Sequence, residues 1–170
     1  MTKTCAIIGC SPLCFSWGFD EEDDVCAALK LLLLNRITKL SSEGYAHFAI
    51  SIDCGIGLYA AEIIAELQSG NPALEMTLYV PYEEQATKWT AELRERYFNV
   101  LAVCKEVVNV SYEKNMGCEF KAHLASLSGA DTVIAIYDPD NPNCEREAAA
   151  VAVAEMLHKQ IFVVNPKLTA

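Results

Sequence analysis

The chain of 170 residues contains no uninterrupted apolar run approaching the ~20 residues that a membrane-spanning helix needs. The longest candidates, "LKLLLL" (29–34) and "AAAVAVAEML" (148–157), carry charges inside or beside them and read as well-buried helices. Basic residues are also scarce: 13 Lys and Arg face 23 Asp and Glu, for a net charge of −10. That balance excludes unaided binding to a nucleic-acid backbone, which needs clustered cations. The first ten residues, "MTKTCAIIGC", hold one Lys and too short an apolar run for a signal peptide, and read as a first strand. No internal repeat, linker or low-complexity segment divides the chain, so a single domain over residues 1–170 is expected. The expected location is the cytoplasm.

Cysteine is the exception to this scarcity. Eight are present (5, 10, 14, 26, 54, 104, 118 and 144), yet none forms C-x-x-C, and no Cys/His cluster has zinc-ligand spacing. They read as reduced thiols, several packed in the core as small hydrophobes. Neither a metal, a disulfide framework nor another cofactor is expected.

What is present is alternation. Apolar, β-rich runs fall at 4–9, 47–51, 76–80, 106–111, 132–137 and 161–165, as in parallel strands covered on both faces. Between them lie helical patterns. The first is expected from about Asp20 to Glu43, with "DEEDD" (20–24) at its positive end, since the spacing and glycine of a calcium loop are absent. The second begins near Gly57. The third is expected from about Glu83, with Ala86, Trp89, Leu93, Tyr97 and Val100 on one stripe. A fourth spans roughly 118–128. The fifth, about 144–159, is so rich in Ala and Val that little of it is expected to face water.

This order predicts an α/β Rossmann-like fold: three layers around a doubly wound, mainly parallel sheet of about six strands. Ligands of such sheets bind beyond the carboxyl ends of the strands, at the point where strand order reverses. The candidate site is therefore "CSP" (10–12), "DCGIG" (53–57) and "DPDNPNCE" (138–145).

The segments "CAIIGCSP", "EGYAHFAISIDCGIGLYAAEIIAEL", "VPYEEQATKWTAELRERYFNVL" and "ADTVIAIYD" resemble, in order and spacing, the YpsA-like proteins. That family is a poorly characterised bacterial branch of the SLOG superfamily, which also holds the DNA-processing protein DprA and the Lonely Guy hydrolases. The most specific stretch is "PYEEQATKWTAELRERY" (81–97), which is similar to the family pattern P-x-x-x-Q…W…R-x-R-Y. The resemblance implies a Rossmann-like sheet and binding of a nucleotide or nucleotide-derived ligand, with no assigned activity. Several ligand-facing positions depart from the family. Where relatives show G-H-R-P, this chain has Gly9, Cys10, Ser11 and Pro12; Ser51 stands at a glycine position, Asp53 at an alanine and Gly57 at an aspartate. The usual R-N pair reads Ala122 and His123, and a G-G-T turn reads Pro142, Asn143 and Cys144. The P-G-G-x-G-T-x-x-E segment of the Lonely Guy hydrolases is missing.

The candidate ligand-binding residues are Gly9, Cys10, Ser11, Asp53, Gly55, Gly57, Glu62, Gln85, Asp138 and Asn143. Gly55 and Gly57 permit a close backbone approach at a helix N-terminus, or serve only helix–strand packing. Asp53 brings negative charge to that mouth. Glu62, about one turn into the second helix, is a candidate general base or ribose acceptor; its other reading is a carboxylate bonded to a neighbouring loop. Gln85 reads a base edge or caps the third helix. Asp138 and Asn143 hold a ribose or simply make the turn. Cys10 is the candidate nucleophile, if His123 approaches it. Three functions stay open: a sensor of a nucleotide-like ligand, a binding-degenerate scaffold working through protein contacts, and a nucleotide N-glycosidase-type hydrolase. Apolar excess in the first and fifth helices leads to a homo-oligomer, a dimer in its simplest form.

Overall fold

In the computed structural model, which describes residues 2–168, six strands form one sheet in the order β4-β3-β2-β1-β5-β6, with every neighbouring pair parallel. They are β1 (Lys3–Gly9), β2 (Tyr45–Ser51), β3 (Glu75–Val80), β4 (Glu106–Asn109), β5 (Thr132–Ile136) and β6 (Gln160–Val164). The helices between them are α1 (Asp24–Ser42), α2 (Ile56–Gln68), α3 (Ala91–Val103), α4 (Cys118–Ser128) and α5 (Glu145–Met156). Met1, Thr169 and Ala170, which the single-domain expectation included, lie outside the described residues.

Alternation along β1 divides the interior in two. Cys5 and Ile7 point into a core with Leu29, Leu33 and Ile37 of α1, Leu58 and Ile64 of α2, and Tyr97 and Val100 of α3. Ala6 and Ile8 point to the opposite face, against Leu127 of α4 and Ala150, Val151 and Ala154 of α5. A strand read on both faces must be apolar at every position, and β1 is buried from Cys5 to Gly9. The sheet is thus the middle of three layers. Its strand order reverses between β1 and β5.

Three helix expectations are corrected. α1 starts later than Asp20, because the Asp23 carboxylate caps it by accepting from the N–H groups of Val25 (2.8 Å) and Cys26 (3.3 Å). Glu21, upstream of that cap, leaves the helix-dipole role and bonds Lys30 and Arg96. α3 starts at Ala91 rather than near Glu83, where Thr90 accepts from Leu93 N–H. Residues 82–89 form a chain of three-residue turns, Gln85 N to Tyr82 O, Thr87 N to Glu84 O and Trp89 N to Ala86 O. α5 is half exposed: Ala148, Ala149, Ala152, Glu155 and Met156 face water, while Ala150 and Ala154 are buried. Alanine fits either side of a helix, so its abundance does not report burial.

Among the described residues, no helix is long and apolar enough to cross a membrane.

Candidate functional site

Above the C-terminal ends of β1 and β2 lies a cavity of about 190 Å³. Its floor is Gly9, Ser51 and Ile52, one wall is the Pro81–Trp89 turn segment, and the other comes from α4 and α5. Parallel strands point their free carboxyl ends at this crevice, which is why loop residues after β1, β2 and β3 converge there.

The turn after β2 explains its own glycines. The Asp53 carboxylate accepts hydrogen bonds from the N–H groups of Gly55 (2.9 Å) and Gly57 (3.0 Å) through the same oxygen, Oδ1. These are the amides that a bound phosphate would use at the start of α2. The seat is filled by the chain's own anion. Burial pushes the Asp53 carboxyl up to about 6, against the pull of those two N–H donors. The turn therefore carries its negative charge above about pH 6 and loses it below. Both glycines are also packing residues. A Cβ on Gly57 would lie 2.5 Å from the Ser51 carbonyl oxygen, and one on Gly55 would lie 2.7 Å from Pro12 Cγ.

Opposite this turn runs a buried chain of polar groups. Ser51 Oγ and His123 Nδ1 are 2.7 Å apart, and His123 Nε2 is 2.7 Å from Glu147 Oε2. All three side chains are buried and line the cavity. A carboxylate accepts and a hydroxyl can donate, so the two contacts fit an imidazole that donates from Nε2 to Glu147 and accepts at Nδ1 from Ser51. The second oxygen of Glu147, Oε1, is buried without a hydrogen-bond partner among the described residues. Arg146, also lining the cavity, is half exposed and pairs with Glu119 at 3.2 Å.

Among the candidates named from sequence, Gly9, Ser11, Asp53 and Gln85 line the cavity. Gln85 is buried and donates from Nε2 to Ile52 O and Tyr97 Oη, both at 3.3 Å, so it ties the turn segment to the end of β2. Glu62 does not reach the mouth. Its carboxylate forms a two-point pair with Arg96 (2.7 and 3.0 Å), which also holds Glu21, and the expectation of a base at the site is corrected accordingly. One turn into α2 the side chain has rotated toward α3. Asp138 accepts from Asp140 N–H in its own turn and, from the segment after β6, accepts from Asn165 Nδ2 and pairs with Lys167. Asn143 is exposed beside a separate surface hollow.

Cys10 is not paired with His123, whose ring nitrogens are committed to Ser51 and Glu147. Its Sγ lies 2.9 Å from that of Cys144, and burial raises its thiol far above the ordinary range, with Cys14 and Cys144 adding to the rise. A thiol held protonated is a poor nucleophile, so the proposed Cys–His pair is corrected. The lack of zinc-ligand spacing in the sequence does not keep the cysteines apart in the fold. Cys10, Cys14 and Cys144 bring their sulfurs within 4.8 Å of one another. The only sequence signal was the four-residue step from Cys10 to Cys14, whose third partner lies across the chain.

Residues 5–167 match the family described as the YspA SLOG family. The chain belongs to that family. It is 28% identical over 142 residues to a UPF0398 protein of Bacillus pumilus (strain SAFR-032), covering 82% of this chain and 75% of the relative. A UPF0398 protein of Bacillus cereus (strain G9842) is also 28% identical, over 143 residues, 82% of this chain and 77% of the relative. The YpsA resemblance drawn from the sequence motifs is thus borne out over nearly the whole chain. The relatives carry a family number in place of an activity, so the chemistry rests on this chain's own geometry.

Proposed function

We propose that this YpsA-family chain binds a small nucleoside-type ligand, the uncharged or cationic end of a nucleotide-derived molecule, in the cavity at the carboxyl edge of the sheet. The observation that carries this reading is the Asp53 carboxylate seated on the Gly55 and Gly57 amides. It repels a phosphate from the place where this fold would hold one, and it offers an acceptor to an amine or hydroxyl. The volume supports the same reading: about 190 Å³ is below the ~300–1,000 Å³ of pockets that enclose drug-sized ligands. It suits a base or a sugar with the remainder of the molecule in solvent. Tyr82 and Trp89 supply aromatic lining, and Ser11, Gln85 and Arg146 supply polar groups.

Thermal unfolding with nucleosides, their monophosphates, dinucleotides and ADP-ribose tests this. A nucleoside at a hundred times its Kd adds ~2.7 kcal/mol, a rise of about 5–10 °C for a chain this size. The matching monophosphate is expected to shift the melt no further. A flat response to every nucleoside, or a monophosphate far better than its nucleoside, contradicts the proposal.

A hydrolase is the second reading, and one observation favours it: the Ser51–His123–Glu147 chain has the connectivity of a hydroxyl activated by an oriented base. It replaces Glu62 and Cys10 as the chemistry such an enzyme would use. The same incubations, assayed for released base, separate it from simple binding.

A further inference from the structure

We propose that Cys10, Cys14 and Cys144, beside the Glu147 carboxylate, form a structural binding site for one zinc-type divalent cation, with the fourth position taken by solvent. The three sulfurs come from separate places: the end of β1, the short 3-10 turn Pro12–Cys14 that follows it, and the turn Pro142–Cys144 that leads into α5. Their Sγ atoms all lie within 4.8 Å, and those of Cys10 and Cys144 are 2.9 Å apart. Four ligands at the ~2.3 Å of a zinc–sulfur bond set a tetrahedral edge of about 3.8 Å, inside the range these sulfurs already span.

A second observation points to the same place. Glu147 is 2% exposed, and its Oε1 has no hydrogen-bond partner among the described residues. An orphaned buried carboxylate oxygen is costly unless something positive meets it. Its charge reaches the cluster, since it is among the causes that raise both the Cys10 and the Cys14 thiols. The other oxygen, Oε2, is held by His123 Nε2. Three thiolates select a borderline-soft ion such as zinc over magnesium or calcium, which take oxygen ligands. Binding displaces the thiol protons that burial otherwise retains, so affinity rises with pH. The ion would fasten the loop after β1 to the start of α5. The proposal is independent of the cavity's occupant.

The test is titration of the full, reduced chain with Co²⁺ under anaerobic conditions, followed by Zn²⁺. One equivalent of Co²⁺ is expected to give a near-ultraviolet thiolate-to-metal band and visible bands of tetrahedral intensity, both abolished by one equivalent of Zn²⁺. Cys14→Ser and Cys144→Ser are each expected to weaken Co²⁺ binding at least tenfold, with circular dichroism confirming that the variants fold. Glu147→Gln is expected to keep both bands and to weaken Co²⁺ binding, since it removes the negative charge beside the thiols. Absence of a thiolate band in the folded, reduced chain overturns the site. So does a band that both cysteine variants retain at full strength, or a Cys10–Cys144 disulfide that resists mild reductant.

Discussion

Gly57→Ala is expected to lower the melting temperature by about 4–12 °C, with or without ligand. The added Cβ would sit 2.5 Å from the Ser51 carbonyl oxygen and 2.7 Å from Ile52 Cα. Both are backbone atoms at the end of β2, where Ile52 N–H is bonded to Tyr79 O at 3.0 Å. No side chain can swing away, so either α2 or β2 must move. Overpacking of this kind costs about 3 kcal/mol, and each kcal/mol is worth about 2–4 °C in a domain of this length. Alanine's better helix propensity returns less than about 1 kcal/mol of that. Gly70→Ala is the control, since its Cβ meets only Leu67 O at 4.0 Å. A melt for Gly57→Ala within a degree of the parent would show that the α2 start is looser than its packing indicates.

His123→Ala is the second large loss. Removing the imidazole strands the Ser51 hydroxyl and Glu147 Oε2 together, in a place where Glu147 Oε1 is already without a partner. Breaking one member of a buried pair costs about 3–5 kcal/mol, because an uncompensated charge stays behind. Ser51→Ala alone removes one hydroxyl and is expected to cost about 1 kcal/mol. Denaturant unfolding at neutral pH measures both. If His123→Ala costs no more than Ser51→Ala, water reaches the chain of polar groups and its buried reading fails.

Much of the architecture was legible because both faces of the sheet are covered. The resulting apolar runs placed all six strands within about two residues, with the parallel order following from the helices between them. The start of α3 was not legible, because the stripe from Ala86 to Val100 keeps helical spacing through turns that are not helix. Thr90 was the overlooked signal, a capping residue inside the supposed helix. For the site, the segments after β1 and β2 were legible and the contribution of the last two helices was not. Arg146 and Glu147 reach the cavity from a helix whose pattern read only as packing, and His123, noted as a possible partner for Cys10, reaches it with Ser51 and Glu147 as its partners instead. Glu62 shows the converse error: its distance along the chain suited the mouth, and its angle around α2 delivered it to Arg96. The cysteine cluster joins residues at opposite ends of the sequence, which spacing alone does not reveal.

The central claim is that Asp53 occupies the phosphate seat, and the affinities of one nucleoside and its monophosphate for the parent chain and for Asp53→Ala test it most directly. At pH 8, where the carboxyl is ionised, the parent should prefer the nucleoside. Asp53→Ala frees the Gly55 and Gly57 amides and should bind the monophosphate at least tenfold more tightly than the parent does. At pH 5 the gap should narrow, because protonation of Asp53 removes the repelling charge in the parent. A parent chain that binds the monophosphate at pH 8 as tightly as Asp53→Ala does would contradict the account.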